Sequence, residues 1–131
     1  YMNEMMEKWQ TSYTPNVLGI YLLMRVLKDS KKIRSVHKQI EARAKGCQDF
    51  FKNGKNLRLY IRNQKVRSHT VITITGNPAL LNEVKSKAKK NGFVLGEGYG
   101  KLKHETFRIA NFPALKNNEI KRLKDFLKAY R

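Results

Sequence analysis

A single cysteine, Cys47, leaves this chain without an internal disulfide or a cysteine-rich metal site, and fits a reducing, cytoplasmic compartment. Its position on a helical stripe assigns it to packing rather than chemistry. The three histidines, His37, His69 and His104, fall on different predicted elements and give no metal-ligand spacing. No apolar run reaches the length of a membrane span and no signal-peptide pattern is present, which argues against a membrane partner. Acids are scarce as well. Ten Asp and Glu stand against 28 Lys and Arg, a formal net charge of +18. Thirteen of the bases lie between Lys28 and Arg67, where the acids are Asp29, Glu41 and Asp49. Such a surface attracts phosphate backbones, acidic partners or anionic substrates, and equally suits solvated helix faces.

With 131 residues, 40% of them hydrophobic, there is enough chain for one ordered domain with a real core. Tyr1 stands where an initiator Met is expected, and Met2, Met5, Met6 and Trp9 among acids read as a helix, so the chain is expected to be part of something longer. After a polar segment ending in Pro15, residues 16–28 form an apolar helix dense enough to predict burial on several sides, including against a partner. A second helix is predicted from Lys31 to Lys52, with Ile33, Val36, Ile40, Ala44, Cys47 and Phe50 or Phe51 at intervals of three and four, a basic opposite face, and Gly54 as its stop.

From Leu57 the period becomes two. Leu57, Leu59 and Ile61 alternate with Arg58, Tyr60 and Arg62, and residues 71–75 form a β-branched strand ending at Gly76. Asn77-Pro78 places a cap and a first helical position; Leu80, Leu81, Val84 and Ala88 make the inward stripe before Asn91-Gly92. A short strand is predicted over residues 93–95, a tight or mobile segment over Gly96, Gly98 and Gly100, and a strand from His104 to Phe112. Asn117 or Asn118 would cap a last helix packed through Ile120, Leu123, Leu127 and Tyr130. The order predicts an α+β fold, helices over a small, mostly antiparallel sheet, without internal repeats.

Two residues stand out as site candidates. Arg108 lies in an alternating strand, so Phe107 and Ile109 take one face and Arg108 the other. A rigidly held guanidinium suits bidentate binding of a carboxylate, and the glycines upstream together with Asn111 would shape a recess around it. Thr14 precedes Pro15 and the apolar helix, where its hydroxyl would cap the helix or, with the helix field, meet a phosphate. The glycine-alternating run 96–100 lacks both a Walker sequence and a dinucleotide fingerprint and is read as a turn. Arg58, Tyr60, Arg62 and the basic helix could serve a nucleic-acid face, although no RNA- or DNA-binding signature is present.

The stretch from Asn91 to Gly100, followed by Phe107-Arg108-Ile109-Ala110-Asn111-Phe112-Pro113 and a closing helix, resembles the carboxy-terminal small domain of class V pyridoxal-phosphate-dependent aminotransferases. The similarity is greatest to phosphoserine aminotransferases, with serine- or alanine-glyoxylate enzymes next. Tyr13-Thr14-Pro15-Asn16-Val17 and Ile20-Tyr21-Leu22-Leu23 resemble the segment joining large and small domains, although Tyr13 stands where phosphoserine aminotransferases usually carry asparagine. The resemblance implies that residues 1–15 close the preceding large domain and linker and residues 16–131 form the small domain. It implies that Arg108 binds the α-carboxylate of amino-acid and keto-acid substrates. Thr14 would contribute to the cofactor-phosphate site of the neighbouring subunit in a homodimer. The lysine that carries the cofactor belongs to the large domain in this family, and no lysine here matches its motif. The implied parent is an enzyme with pyridoxal phosphate, and the isolated chain is expected to hold no cofactor and to be inactive. A basic nucleic-acid-binding module remains the alternative.

Overall fold

The computed structural model describes residues 2–11 and 13–131. Tyr1 and Ser12, on which the readings of the chain start and of the polar segment partly rest, lie outside the described residues. The chain divides into two compact units, Tyr1–Lys32 and Ile33–Arg131.

The first unit holds helices α1 (Met2–Glu7) and α2 (Val17–Asp29). At the end of α1 the Gln10 N–H donates to Met5 O and the Trp9 N–H to Met6 O, at 2.9 and 3.2 Å. That wrap puts Trp9 at φ 52°, a left-handed position that glycine occupies at lower cost. Helix α2 is capped by Asn16, whose carboxamide oxygen accepts the Gly19 N–H at 2.9 Å, so the cap is Asn16 and not Thr14. The apolar density that predicts burial on several sides is present, yet no residue of α2 is buried. Leu18 and Leu27 keep 68% and 66% of their surface. Two helices in some thirty residues lack the facing surface to cover such a stripe.

The second unit opens with α3 (Ile33–Lys52) and contains β1 (Arg58–Leu59), β2 (Val71–Thr75), α4 (Pro78–Lys90), β3 (Gly96–Glu97), β4 (Thr106–Ala110) and α5 (Asn117–Leu127). The four strands form one sheet in the order β1-β2-β4-β3, every neighbouring pair antiparallel. The α+β architecture expected from the sequence is therefore present. Ile72 and Ile74 of β2 pair with Ile109 and Phe107 of β4, and all four are buried. Onto this face α3 lays Cys47 and Phe51, α4 lays Leu81 and Val84, and α5 lays Ile120, Leu123 and Leu127. The opposite face carries Thr73, Thr75, Thr106 and Arg108.

Local chemistry fixes the helix ends. The Asn77 side chain accepts the Ala79 N–H at 2.9 Å and Pro78 takes the first helical position of α4, as the Asn-Pro pair predicts. At the far end Gly92, at φ 78°, lets its N–H reach Lys89 O and the Phe93 N–H reach Ala88 O at 2.9 Å, a Schellman closure. This wrap holds Phe93 against Phe126, ring centroids 5.7 Å apart, and explains why no strand forms at 93–95. Phe93 and Leu95 pack as loop residues on the core, Val94 is 92% exposed, and pairing starts only at Gly96. Strand β4 is likewise shorter than the expected 104–112: the turn begun by the 3-10 segment Gly100–Lys103 runs on through Glu105, whose N–H donates to Leu102 O at 3.2 Å, and the strand ends at Ala110. Ile61 lies outside β1 and is exposed. Helix α5 begins at Asn117, so neither Asn117 nor Asn118 is its cap; instead the Glu119 carboxylate accepts the Lys116 backbone N–H at 2.7 Å.

Asn111 is fully buried at the end of β4 and ties three segments together. Its amide nitrogen donates to Ile40 O of α3 at 2.9 Å and to His69 O at 2.7 Å, while its backbone N–H donates to Thr70 O at 2.8 Å. Arg43, also buried, donates to Phe112 O at 3.0 Å and to Leu115 O, bracing the turn into α5. Burial raises the Cys47 thiol pKa, with the nearby Lys124 and Arg43 cations opposing the shift.

Two outcomes follow. Phe107→Ala removes a fully buried ring from the central strand and lowers unfolding free energy by about 3–5 kcal/mol. Denaturant melts measure that loss, and Cys47 in the wild-type chain reacts with a thiol reagent only through the unfolding transition. Asn111→Ala removes the buried donor that the Ile40 and His69 carbonyls share and costs about 1–3 kcal/mol in the same melts.

Candidate carboxylate-binding site

The pleat of β4 settles where Arg108 points. Because Phe107 and Ile109 are buried beneath the helices, Arg108 emerges on the other face, half-buried and paired across to Thr73 of β2 and Gly96 of β3. Gly96 leaves room for its stem: a Cβ there would lie 3.4 Å from Arg108 Cβ and 3.6 Å from its Nε.

Two contacts then hold the guanidinium. Arg108 Nε donates to the backbone oxygen of Glu97 at 2.7 Å, and its central carbon lies 4.2 Å from the Tyr99 ring centroid. Glu97 is itself anchored from the helix side, its carboxylate 2.9 Å from Nζ of Lys85 on α4. Among the described residues no acid forms an ion pair with Arg108. With Nε committed and the plane stacked on an aromatic ring, the terminal nitrogens are the part of the fork left to meet a planar anion.

The loop that carries Tyr99 is tight. Gly98 is buried, and a Cβ on it would collide with Leu102 O and the Thr106 hydroxyl; Thr106 in turn donates to Leu102 O at 2.9 Å. Gly100 takes φ 52°. The glycine-alternating run is thus a compact connection between β3 and β4, as the sequence reading holds.

Other expectations change. Asn111 does not shape a recess for Arg108: it is buried in phase with Phe107 and Ile109, and its amide nitrogen is spent on α3 and the loop before β2. Thr14 is exposed in the segment before α2 and belongs to the first unit, whereas Arg108 belongs to the second. His37 and His69, far apart in sequence, meet at Glu41, with nitrogen–oxygen distances of 3.2 and 3.8 Å. Among the described residues no group of three His, Cys, Asp or Glu is disposed to hold a metal ion. No described helix is long and apolar enough to cross a membrane. The contributions of Tyr99, the Glu97 carbonyl and Arg43 were not read from the sequence. Gly96-Glu97-Gly98-Tyr99 offers a signal for the first two only once β3 is known to pair with Arg108.

No family model and no curated protein matches this sequence. Among solved structures, the chain is similar to a phosphoserine aminotransferase from Cytophaga hutchinsonii, with 30% identity and a TM-score of 0.80. The match covers 98% of this chain and 36% of that one, so the chain spans about a third of the enzyme's length. Strand order, buried face and likeness agree: the chain has the fold of a small aminotransferase domain, related to that of the phosphoserine aminotransferase.

Proposed function

We propose that this domain supplies the substrate-carboxylate arginine of a pyridoxal-phosphate-dependent aminotransferase, with phosphoserine aminotransferase as the preferred activity and a serine- or alanine-glyoxylate type as the alternative. The observation that carries the reading is Arg108, half-buried on the open face of the sheet, its Nε on the Glu97 carbonyl and its plane on Tyr99. A guanidinium already oriented loses little freedom on meeting a carboxylate, and the same pair of hydrogen bonds serves an amino acid and a keto acid alike.

Residues 1–15 are read as the end of a large domain and its linker, and residues 16–131 as the small domain. Pyridoxal phosphate, when bound, supplies the electron sink that makes the substrate's α-proton removable. Thr14 fits one contact to its phosphate, an exposed hydroxyl placed just ahead of a 13-residue helix, and would serve the site of a neighbouring subunit in a homodimer. The cofactor-bearing lysine would come from the large domain, so the chain by itself is inactive. Arg108 binds and orients the substrate, and the domain moves no proton.

A second reading rests on the exposed Arg58, Tyr60 and Arg62 beside the β1 edge and on the net charge of +18. It makes the surface a single-stranded nucleic-acid platform.

In the complete enzyme, Arg108→Ala is expected to lower kcat/KM by about 10- to 100-fold, chiefly through KM, as two charge-assisted hydrogen bonds are lost. Tyr99→Leu, which removes the stacked ring but keeps the charge, produces a fall of about 2- to 5-fold. Steady-state kinetics with varied keto acid measure both, and an unchanged kcat/KM in the Arg108 variant rejects the assignment. Titrating the chain with generic single-stranded RNA at rising salt separates the second reading: tight binding with a steep salt slope would favour it.

A further inference from the structure

Helix α4 carries four lysines, and three of them, Lys87, Lys89 and Lys90, are exposed. Lys85 is not. Its side chain keeps only 14% of its surface, and its Nζ lies 2.9 Å from the Glu97 carboxylate of β3. Four residues after Leu81 and one after Val84, it flanks the buried stripe of the helix, so its aliphatic stem is covered while its ammonium reaches the sheet. An ammonium so covered calls for a counter-charge, and Glu97 supplies it.

The pair ties down a weak element. Strand β3 has two residues, and a strand this short keeps its place poorly through ladder bonds alone. In the register Gly96 stands opposite Arg108 and Glu97 opposite Phe107, so the Glu97 side chain falls on the helix side while its main chain serves the open face. That main chain is what Arg108 leans on: the Glu97 oxygen accepts its Nε at 2.7 Å, and Tyr99, two residues further, lies against the guanidinium. Among the described residues, Lys85–Glu97 is the one ion pair between a helix and a strand. Nothing of the same kind duplicates it.

We propose that Lys85 is a positioning residue for Arg108, acting through Glu97 to hold β3 where its carbonyl and the Tyr99 ring restrain the guanidinium; the catalytic consequence rests on Arg108 being the substrate-carboxylate arginine, whereas the restraint itself does not. Without the ammonium, the Glu97 side chain is released, β3 gains freedom, and Arg108 samples orientations that substrate must then narrow. The loss falls on substrate capture rather than on turnover.

Two measurements test this together. In the isotope-labelled 131-residue chain, hydrogen exchange of the Arg108 Nε–H, assigned by its absence in Arg108→Ala, is expected to speed up by about 3- to 10-fold in Lys85→Met, while the amides of Ile72, Ile74 and Ile109 stay protected. In the complete enzyme the same change raises KM for the keto acid by about 3- to 5-fold with kcat nearly unaltered, and Lys85→Arg, which restores a cation, returns KM toward the wild-type value. Lys87→Met removes an equal charge from α4, but its partner Glu83 lies on the same helix, so neither quantity moves. Should Lys85→Met unfold, Glu97→Gln, which keeps the backbone carbonyl and removes the charge, produces the same two changes. A wild-type exchange rate at Arg108 Nε in these variants would overturn the proposal, as would equal losses in Lys87→Met or an unaltered KM in an enzyme that Arg108→Ala impairs. Faster Nε–H exchange combined with unchanged kinetics in Arg108→Ala upholds the restraint and rejects the carboxylate reading instead.

Discussion

The side-chain alternation of β4, locked by its antiparallel register with β2, governs both the core and the candidate site. Phe107 and Ile109 oppose Ile74 and Ile72 beneath three helices, while Arg108 opposes Thr73 on the open face. A slip of one residue would exchange these faces, exposing two core residues and driving an unpaired guanidinium among aliphatic side chains. Burial of a ring such as Phe107 contributes about 1.5–3 kcal/mol, and an uncompensated buried charge costs several kcal/mol. Both act in the same direction, so the energy that forms the core also orients Arg108.

The neighbouring strand refines what β4 sets. Gly96 passes beside the arginine stem, Glu97 presents its carbonyl to Nε, and the Lys85 ion pair fastens the same residue from the helix layer. Gly98, which tolerates no Cβ, then compresses the turn that carries Tyr99 back over the guanidinium. Thus an apparently loose glycine run becomes the part that immobilises the fork. Preorganisation of this kind reduces the ordering cost of capturing a substrate.

Much of this fold is legible in the residues because local and tertiary preferences coincide. The Val-Ile-Thr-Ile-Thr strand at 71–75, the Asn77-Pro78 start and the α5 stripe each carry their own signal, and each forms where its pattern places it. The differences arise where a distant partner decides. Phe93-Val94-Leu95 has strand-forming residues, but the closure at Gly92 and the Phe126 ring claim it first. Asn111 reads as a polar residue near the arginine, yet two carbonyls remote in sequence, at Ile40 and His69, absorb its amide nitrogen. The meeting of His37 and His69 at Glu41 depends on how the loop before β2 lies against α3, which no periodicity encodes. Arg108 itself is visible through alternation; its two restraints are not, because they come from a strand of only two residues and from the loop that follows it.

The likeness to the Cytophaga phosphoserine aminotransferase covers 98% of this chain, and the proposed carboxylate role rests on the open fork of Arg108. The account rests on Arg108 meeting a substrate carboxylate while Nε stays on the Glu97 carbonyl. A crystal structure of the complete protein with a bound amino-acid or keto-acid substrate tests this most directly. The account predicts both terminal nitrogens of Arg108 within about 3 Å of the carboxylate oxygens, with the Tyr99 ring still stacked beneath the guanidinium. A substrate carboxylate held by other groups, with Arg108 turned to solvent, would contradict it.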